Sequence, residues 1–266
     1  MTRPKRWRSV TCQSLMWISA YLMIILEGSF VSVVAQTRNL TPAPAAVLLQ
    51  KDGTYDFGGQ LIRCQRGETV GIWAESGTYL SITNVVVEGC EIGIVVTGAA
   101  TKDAPGDAAQ GLSQRSSGHV QGVRVRHNTI GIFLAGSAST ASNNIVGETT
   151  YGIVVTGNDN IVTENQSNDN TKDGFLVTGD RNLLEGNEAR RNGGVGIHVA
   201  SVLPIVGVGR FVSFIQDRGL ANVIRGNTAL DNRRDLVEFA ENCEDPFPGN
   251  QWISNVFATR RPTCIQ

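Results

Sequence analysis

The chain has 266 residues, of which 41% are hydrophobic and 18% charged, and its formal net charge is −1. This composition is typical of a globular protein with one large domain or two small ones, and it excludes a disordered chain. No basic tract is present outside the first residues, so nucleic acid is not expected as a partner.

The first 35 residues have the layout of a secretory signal peptide. Basic residues precede an apolar run, Leu15–Leu26, and Val33 and Ala35 stand at the −3 and −1 positions of a cleavage site before Gln36. We therefore expect a mature chain that is secreted, periplasmic or held at the cell surface. The alternative is an uncleaved anchor, which would be the only expected contact with a membrane.

After the signal peptide, residues 36–60 contain Pro, Ala and the turn signals Asp52-Gly53 and Gly58-Gly59. We predict a linker and an N-terminal cap here, followed by one repeat domain over residues 61–266.

Within this domain a Gly-Ile-x-Val motif recurs with a basic step of 22 residues. Clear copies begin at Gly71, Gly93, Gly131, Gly152, Gly174 and Gly196. Asparagines keep the same step, as in Asn160 and Asn182, Asn165 and Asn187, and Asn170 and Asn192. A period of about 20 to 30 residues indicates stacked supersecondary units, none of which buries its apolar side alone.

Two insertions interrupt the period. Ala99–Ser117 is small and polar and predicts an exposed loop, whereas Val202–Gly219 is strongly apolar. Both follow the same strand, so we expect them to flank a trough over the coils that begin at Gly131, Gly152 and Gly174, and any ligand to bind there. Leu236-Val237-Glu238-Phe239 is predicted to be the degenerate last copy, because terminal units of such arrays are atypical.

The repeat predicts an all-β fold, a single-stranded right-handed parallel β-helix (solenoid) of about eight coils with two loop insertions. Short β-branched runs end at Gly or Asn, and no segment has helical periodicity. The residues one and three positions after each Gly are apolar and are assigned to the core, and the Asn columns are assigned to stacked turns. A leucine-rich repeat is a weaker alternative, because the regularly spaced leucines are absent.

The mature chain has four cysteines, an even number that favours disulfides in an exported protein. We predict the pairs Cys243–Cys264, which would seal a C-terminal cap with Cys264 at the Gly position of the last coil, and Cys64–Cys90, one coil apart. No CxxC pair or HExxH motif is present, so no metal site is predicted, and the sequence identifies no cofactor.

The repeat resembles those of right-handed parallel β-helix proteins of the pectate-lyase-like superfamily, with the NosD-like and CASH-domain types most similar. The residues that carry the resemblance are Asn182-Leu183-Leu184, Asn187, Asn192 and Gly196-Ile197-His198-Val199, and it covers roughly residues 71–255. It implies an architecture more than an activity, because the superfamily includes lyases, hydrolases, epimerases and non-catalytic proteins.

The outward position of the repeated strand supplies the candidate site residues. We expect this column to contain Trp73, Val95, Phe133, Val154, Leu176, His198 and Glu238. Trp73 and Phe133 are candidate ligand-binding residues for stacking on sugar rings, and His198 and Glu238 are candidate catalytic residues for proton transfer.

Each candidate also has a structural alternative. The apolar insertion could cover the column, packing Phe211 or Phe214 on Leu176, and His198 could be a hydrogen-bonded structural residue. Lys172 and Asp173 are expected to be exposed turn residues, and His127 is expected in the turn column of Asn170 and Asn192.

The favoured function is therefore an exported protein that binds polysaccharide or acts as a scaffold in the periplasm or at the cell surface. One alternative is a carbohydrate-active enzyme, namely a polysaccharide lyase, glycoside hydrolase or epimerase, with its site near His198. The other is an assembly protein without a glycan ligand. The sequence does not indicate an oligomeric state.

Overall fold

The computed structural model describes residues 45–76, 79–98, 117–200, 219–238, 249–263 and 265. All regular structure in these segments is β-strand. No helix that is long and apolar enough to cross a membrane occurs among them. The predicted signal peptide, most of both insertions and the predicted Cys243–Cys264 pair lie outside the described residues.

Nine parallel strands form the first sheet, and each is paired with the equivalent strand of the next coil. In stacking order they are β1 (Ala45–Leu49), β3 (Val70–Ser76), β5 (Ile92–Gly98), β8 (Ile130–Leu134), β11 (Tyr151–Val155), β14 (Phe175–Val177), β17 (Val195–Val199), β20 (Arg234–Glu238) and β23 (Arg260–Arg261). Ile153 pairs with Phe175, and Phe175 pairs with Ile197. The predicted 22-residue coil and the parallel solenoid of about eight coils are therefore confirmed.

The other two faces of the solenoid are also parallel sheets, and they are joined because the long strands β2 (Gly53–Arg63) and β4 (Tyr79–Glu88) run through both. The second sheet adds β6 (Ser117–Gln121), β9 (Thr140–Ser142), β12 (Ile161–Thr163), β15 (Leu183–Glu185), β18 (Val223–Arg225) and β21 (Gln251–Ile253). The third adds β7 (Arg124–Arg126), β10 (Ile145–Gly147), β13 (Gln166–Asn168), β16 (Glu188–Arg190), β19 (Thr228–Leu230) and β22 (Val256–Phe257).

The first coil begins earlier than the predicted repeat domain. Strand β1 already pairs with β3, so residues from Ala45 onward contribute strands to the stack. The predicted disulfide between Cys64 and Cys90 is confirmed, with a Cα–Cα distance of 5.1 Å. It links the end of β2 to the turn that follows β4.

The core is filled by the inward side chains of the three sheets. Ile72, Ile94, Ile132, Ile153, Phe175, Ile197 and Leu236 form one stacked column in the first sheet, and none of them is exposed. Each such burial contributes about 1.5–3 kcal/mol, so these columns dominate the stability of the stack.

The glycine of each repeat lies where the backbone turns into the first sheet. A Cβ atom at Gly152 would lie 2.5 Å from the carbonyl oxygen of Gly174 and would collide with the Ser167 hydroxyl. A Cβ atom at Gly174 would likewise lie 2.8 Å from the carbonyl oxygen of Gly196. A side chain does not fit at these two positions, because successive coils stack within backbone contact there.

Three ladders of asparagines, buried except for the last member of each, hold the turns together. The columns are Asn160–Asn182–Asn222–Asn250, Asn144–Asn165–Asn187–Asn227–Asn255 and Asn170–Asn192–Asn232. In each, the backbone N–H of one asparagine donates to the Oδ1 of the next at 2.8–3.0 Å. The predicted ladders are therefore confirmed.

The left-handed residue of these turns is the one before the asparagine. Asp159, Glu164 and Asp169 have φ values of 58°, 56° and 59°, and each precedes a ladder residue. His127, with φ of 56°, has the same place, while Asn128 accepts the backbone N–H of Cys90 in the ladder position. The expectation that His127 belongs to the column of Asn170 and Asn192 is therefore wrong by one residue.

Two successive coils have a turn that is one residue longer than in their neighbours. The distance along the chain from the third ladder to the first inward residue of the sheet is five residues from Asn170 to Phe175 and from Asn192 to Ile197. It is four residues in the flanking coils, from Thr149 to Ile153, from Asn128 to Ile132 and from Asn232 to Leu236. Because of this extra residue, a residue count taken from these two coils is wrong by one position when it is applied to a coil with the shorter turn.

Candidate functional site

The outer column of the first sheet is a buried apolar row. In register it contains Trp73, Val95, Phe133, Val154, Leu176, His198 and Val237. Trp73 and Phe133 are only 2% and 7% exposed, and Val154 and Leu176, the expected floor of the trough, are not exposed at all. Neither aromatic ring presents a face to solvent, which counts against the predicted platform for sugar stacking.

Glu238 does not lie beside His198, and its prediction as an outward catalytic residue is corrected. Because the last turn is one residue shorter, Glu238 pairs with Val199 and points inward. It is 3% exposed, and its two carboxylate oxygens accept hydrogen bonds from Trp252 Nε1 at 2.7 Å and from Asn250 Nδ2 at 2.9 Å. Its role is to fasten the last coils.

His198 is paired with a carboxylate of the preceding coil. Its Nδ1 lies 2.9 Å from Oδ2 of Asp173, and the two side chains are 13% and 10% exposed. The other oxygen of Asp173 accepts the backbone N–H of Val195 at 2.8 Å. The carboxylate is thus fixed by the backbone and in turn fixes the orientation of the imidazole.

The two lengthened turns create the space for this pair. Asp173 lies in the first of them, and Gly194 in the second. A Cβ atom at Gly194 would collide with Oδ1 of Asp173 and would lie 2.9 Å from the carbonyl carbon of Lys172. The pair therefore depends on an extra residue in one turn and on a glycine in the next, a local departure from the repeat of the kind found beside functional sites.

Cationic side chains lie on both sides of the pair. Exposed Lys172 donates from Nζ to the hydroxyl of buried Tyr151 at 3.1 Å, with Nζ 5.1 Å from the ring centroid. Arg234, also exposed, is in register with Val195 on the coil after His198. By strand spacing it is about 10 Å along the stack from Asp173.

This arrangement can support acid–base chemistry. A carboxylate that holds Nδ1 of a histidine fixes its tautomer, so that a proton is exchanged at Nε2. No group of three His, Cys, Asp or Glu side chains suited to a metal ion is found in the described segments. The corner of the solenoid around Asp173 and His198 thus contains an oriented imidazole and two cationic side chains.

Sequence reasoning found His198 but not its partners. Asp173 was expected to be an exposed turn residue, yet it is buried and hydrogen-bonded. The available signal was the spacing of the repeat, which is 21 residues from Gly131 to Gly152 and 22 from Gly152 to Gly174. That one-residue difference marks the turn that carries Lys172 and Asp173.

Comparison with known proteins agrees with the architecture. The family model described as "Right handed beta helix region" matches residues 110–259, more than half of the chain. A search of curated proteins gave no match. The chain therefore belongs to the right-handed β-helix family.

Proposed function

We propose that this protein acts on a polysaccharide and that the Asp173–His198 pair is its proton-transfer centre. The observation that carries the proposal is the 2.9 Å contact between the two side chains on the outer face of a parallel sheet. Along such a face equivalent positions recur about every 4.8 Å, a spacing that an extended polymer can follow once the groups that cover the column are displaced. The resemblance of the repeat to pectate-lyase-like proteins supports the same class of ligand.

The residues favour proton abstraction over glycoside hydrolysis. Hydrolysis by the usual route needs two carboxylates facing the glycosidic bond. In the described part of this corner the carboxylate is Asp173, which is engaged by His198 and by Val195 N–H. A base beside cations suits removal of the proton next to a uronate carboxylate, because Lys172 and Arg234 would stabilise the negative charge that develops.

The proton would pass from carbon to Nε2 of His198. In an elimination the electron pair of the C–H bond forms a double bond, and that of the C–O bond on the neighbouring carbon leaves with the oxygen, which takes a proton from water. In an epimerisation water gives a proton to the other face of the carbon, and in both reactions His198 then releases its proton to water. Nε2 is buried in this structure, so a substrate has to displace the groups packed on the ring.

Export to an oxidising compartment is part of the proposal. The Cys64–Cys90 disulfide supports it, because such bonds persist outside the cytosol. Fractionation of the source cells, with a thiol-labelling assay on the recovered protein, tests it. Recovery in the cytosol with both thiols free would contradict it.

The activity is tested by incubating the purified protein with neutral and uronate-containing polysaccharides and measuring product masses. Hydrolysis adds one water for each bond broken, elimination breaks bonds without adding water, and epimerisation leaves the mass unchanged. Elimination or epimerisation is expected. His198→Gln and Asp173→Asn should each lower the rate by about a hundredfold or more.

His119→Gln is the matched control, since this histidine lies on the second sheet, where its ring packs against Tyr79. Turnover that survives His198→Gln would overturn the assignment of the base. Binding without turnover would show a non-catalytic polysaccharide-binding protein. Neither binding nor turnover would favour an assembly role.

A further inference from the structure

A notch of about 390 Å³ lies on the third sheet, a different face from the Asp173–His198 pair. It forms where the outer column of this sheet runs from Arg126 through Gly147 to Asn168. Gly147 contributes no side chain, and a Cβ atom there would lie 2.8 Å from the carbonyl oxygen of Asn168. The floor of the notch is therefore bare backbone between two longer side chains.

Both walls are fixed before any ligand arrives. Arg126 donates from Nε to Oε2 of Glu88 at 2.7 Å. Asn168 accepts the backbone N–H of Arg190 at 2.7 Å and donates to Glu188 at 3.2 Å. A preorganised wall loses little conformational freedom on binding, which favours affinity.

One wall has an excess of positive charge. Arg63 and Arg126 both donate hydrogen bonds to Glu88. These bonds hold the pKa of the Glu88 carboxyl below its ordinary value, and the bond from Arg63 has the larger effect. Two guanidinium groups thus share one carboxylate. Arg124 is exposed on the same strand as Arg126, and in the described part of the chain no acidic residue pairs with it.

The rest of the notch suits a hydroxylated ring. Glu148 supplies a carboxylate whose ionic partner among the described residues is His127, at 3.0 Å. Ile145, 41% exposed, and Val86 add an apolar surface. Sugars present this combination of hydroxyl groups and C–H faces.

We propose that the notch binds an anionic sugar, with a carboxylate or phosphate group on Arg124 and Arg126. Guanidinium groups form paired, charge-assisted hydrogen bonds with both kinds of oxyanion. The sugar hydroxyls donate to Glu148, and the ring lies over Ile145. This site does not depend on catalysis at His198, and so it extends the proposed function.

The test is to titrate the full chain with glucuronate, glucose 6-phosphate, glucose and inorganic phosphate. Calorimetry and NMR measure the binding. Glucuronate or glucose 6-phosphate should bind and shift the amide signals of Gly147 and Asn168, and the comparison identifies the preferred oxyanion. Arg124→Gln should weaken this binding about tenfold, because it removes a charged hydrogen-bond donor. Added salt should weaken it as well.

Two further variants separate specific binding from a general attraction of anions. Arg225→Gln removes an exposed arginine of the second sheet and should leave binding unchanged. Glu148→Gln should weaken sugar binding while leaving inorganic phosphate unaffected or bound more tightly. The proposal is overturned if glucose binds as well as glucuronate and glucose 6-phosphate, if inorganic phosphate matches the sugar phosphate, if Arg124→Gln binds normally, or if no probe binds. Circular dichroism verifies that each variant is folded.

Discussion

Asn187→Ala removes the central residue of the longest asparagine ladder. The Asn187 side chain accepts the backbone N–H and the Nδ2 of Asn165, each at 3.0 Å. It donates to the carbonyl oxygen of Val162 at 2.8 Å and to Oδ1 of Asn227 at 3.0 Å. The residue is 1% exposed, so water cannot replace these partners without opening the stack.

The cost follows from which groups lose a partner. Asn227 Oδ1 still receives the backbone N–H of residue 187, and Asn165 Nδ2 still donates to Ala141. The backbone N–H of Asn165 loses its acceptor, whereas the Val162 carbonyl, which lies in a paired strand, loses only its bond from the side chain. At about 2 kcal/mol for the unsatisfied N–H and about 1 kcal/mol for the lost bond, we expect the free energy of unfolding to fall by about 3 kcal/mol.

Asn255→Ala is the matched comparison, since Asn255 ends the same ladder and is partly exposed. Water can replace its bonds, so we expect a loss of about 1 kcal/mol. Urea titration followed by circular dichroism measures both values, and hydrogen exchange at the Asn165 amide locates the damage. Losses for the two variants that agree within about 0.5 kcal/mol would refute the account of the ladder as a buried network.

Three further results are expected. Gly152→Ala should lower the free energy of unfolding by about 3 kcal/mol, because its Cβ atom meets backbone. Gly186→Ala, with φ of 64° and only an ordinary contact to Cγ of Glu164 at 3.8 Å, should cost about 1 kcal/mol, and thermal melts of the two variants compare a steric effect with a conformational one. Glu238→Ala should shift the indole N–H signal of Trp252 and destabilise the protein by about 2 kcal/mol without changing turnover. Loss of turnover in a stably folded variant would instead make Glu238 a catalytic candidate again. Burial raises the pKa of Asp235, but hydrogen bonds from the last turn outweigh this effect and hold the pKa below its ordinary value. The ionised Asp235 therefore stabilises the fold above its unfolded pKa, and this contribution is lost as the pH falls through its folded pKa. Acid should therefore loosen the C-terminal coil first, as measured by hydrogen exchange, and Asp235→Asn should remove this pH dependence.

The fold could be predicted from the sequence because each coil repeats the same physical requirement. Inward positions such as Ile153, Phe175 and Ile197 must be apolar, and in these central coils the turn before the sheet has room only for Gly. These constraints recur at one period, so a single chain supplies several independent examples of them. Even the Cys64–Cys90 pair followed from the rule that residues one coil apart are neighbours.

The site could not be predicted in the same way because it depends on a departure from the period. Counting nine residues from Asn227 places Leu236 at the Gly position, but the shorter turn puts Asp235 there and turns Glu238 inward. The same count placed Cys264 at the Gly position of the last coil, where the register gives Thr259. Likewise His127 was placed one residue away from the ladder.

The contact between Asp173 and His198 could not be predicted from the repeat pattern. It is a diagonal contact across two coils, and it needs Gly194 to leave room for the carboxylate. No periodic pattern describes a contact that occurs once. The burial of Trp73 and Phe133 could not be predicted either, because an outward position in a strand does not by itself imply exposure.

The asparagine ladders make the two ends of the solenoid unequal. Every backbone bond of the ladders runs from the N–H of one coil to a side-chain oxygen of the following coil, as from Asn165 to Asn187 and from Asn187 to Asn227. Truncation from the C-terminal end therefore strands backbone N–H donors on the new last coil. Truncation from the N-terminal end keeps these N–H groups paired, and the asparagines of the new first coil lose donors to Oδ1 and one of the two acceptors of Nδ2. Unsatisfied buried N–H groups are tolerated less well than under-satisfied oxygens. Coil for coil, shortening the chain at its C-terminal end should thus be the more damaging, and a coil leaving the ribosome is completed only when its successor arrives.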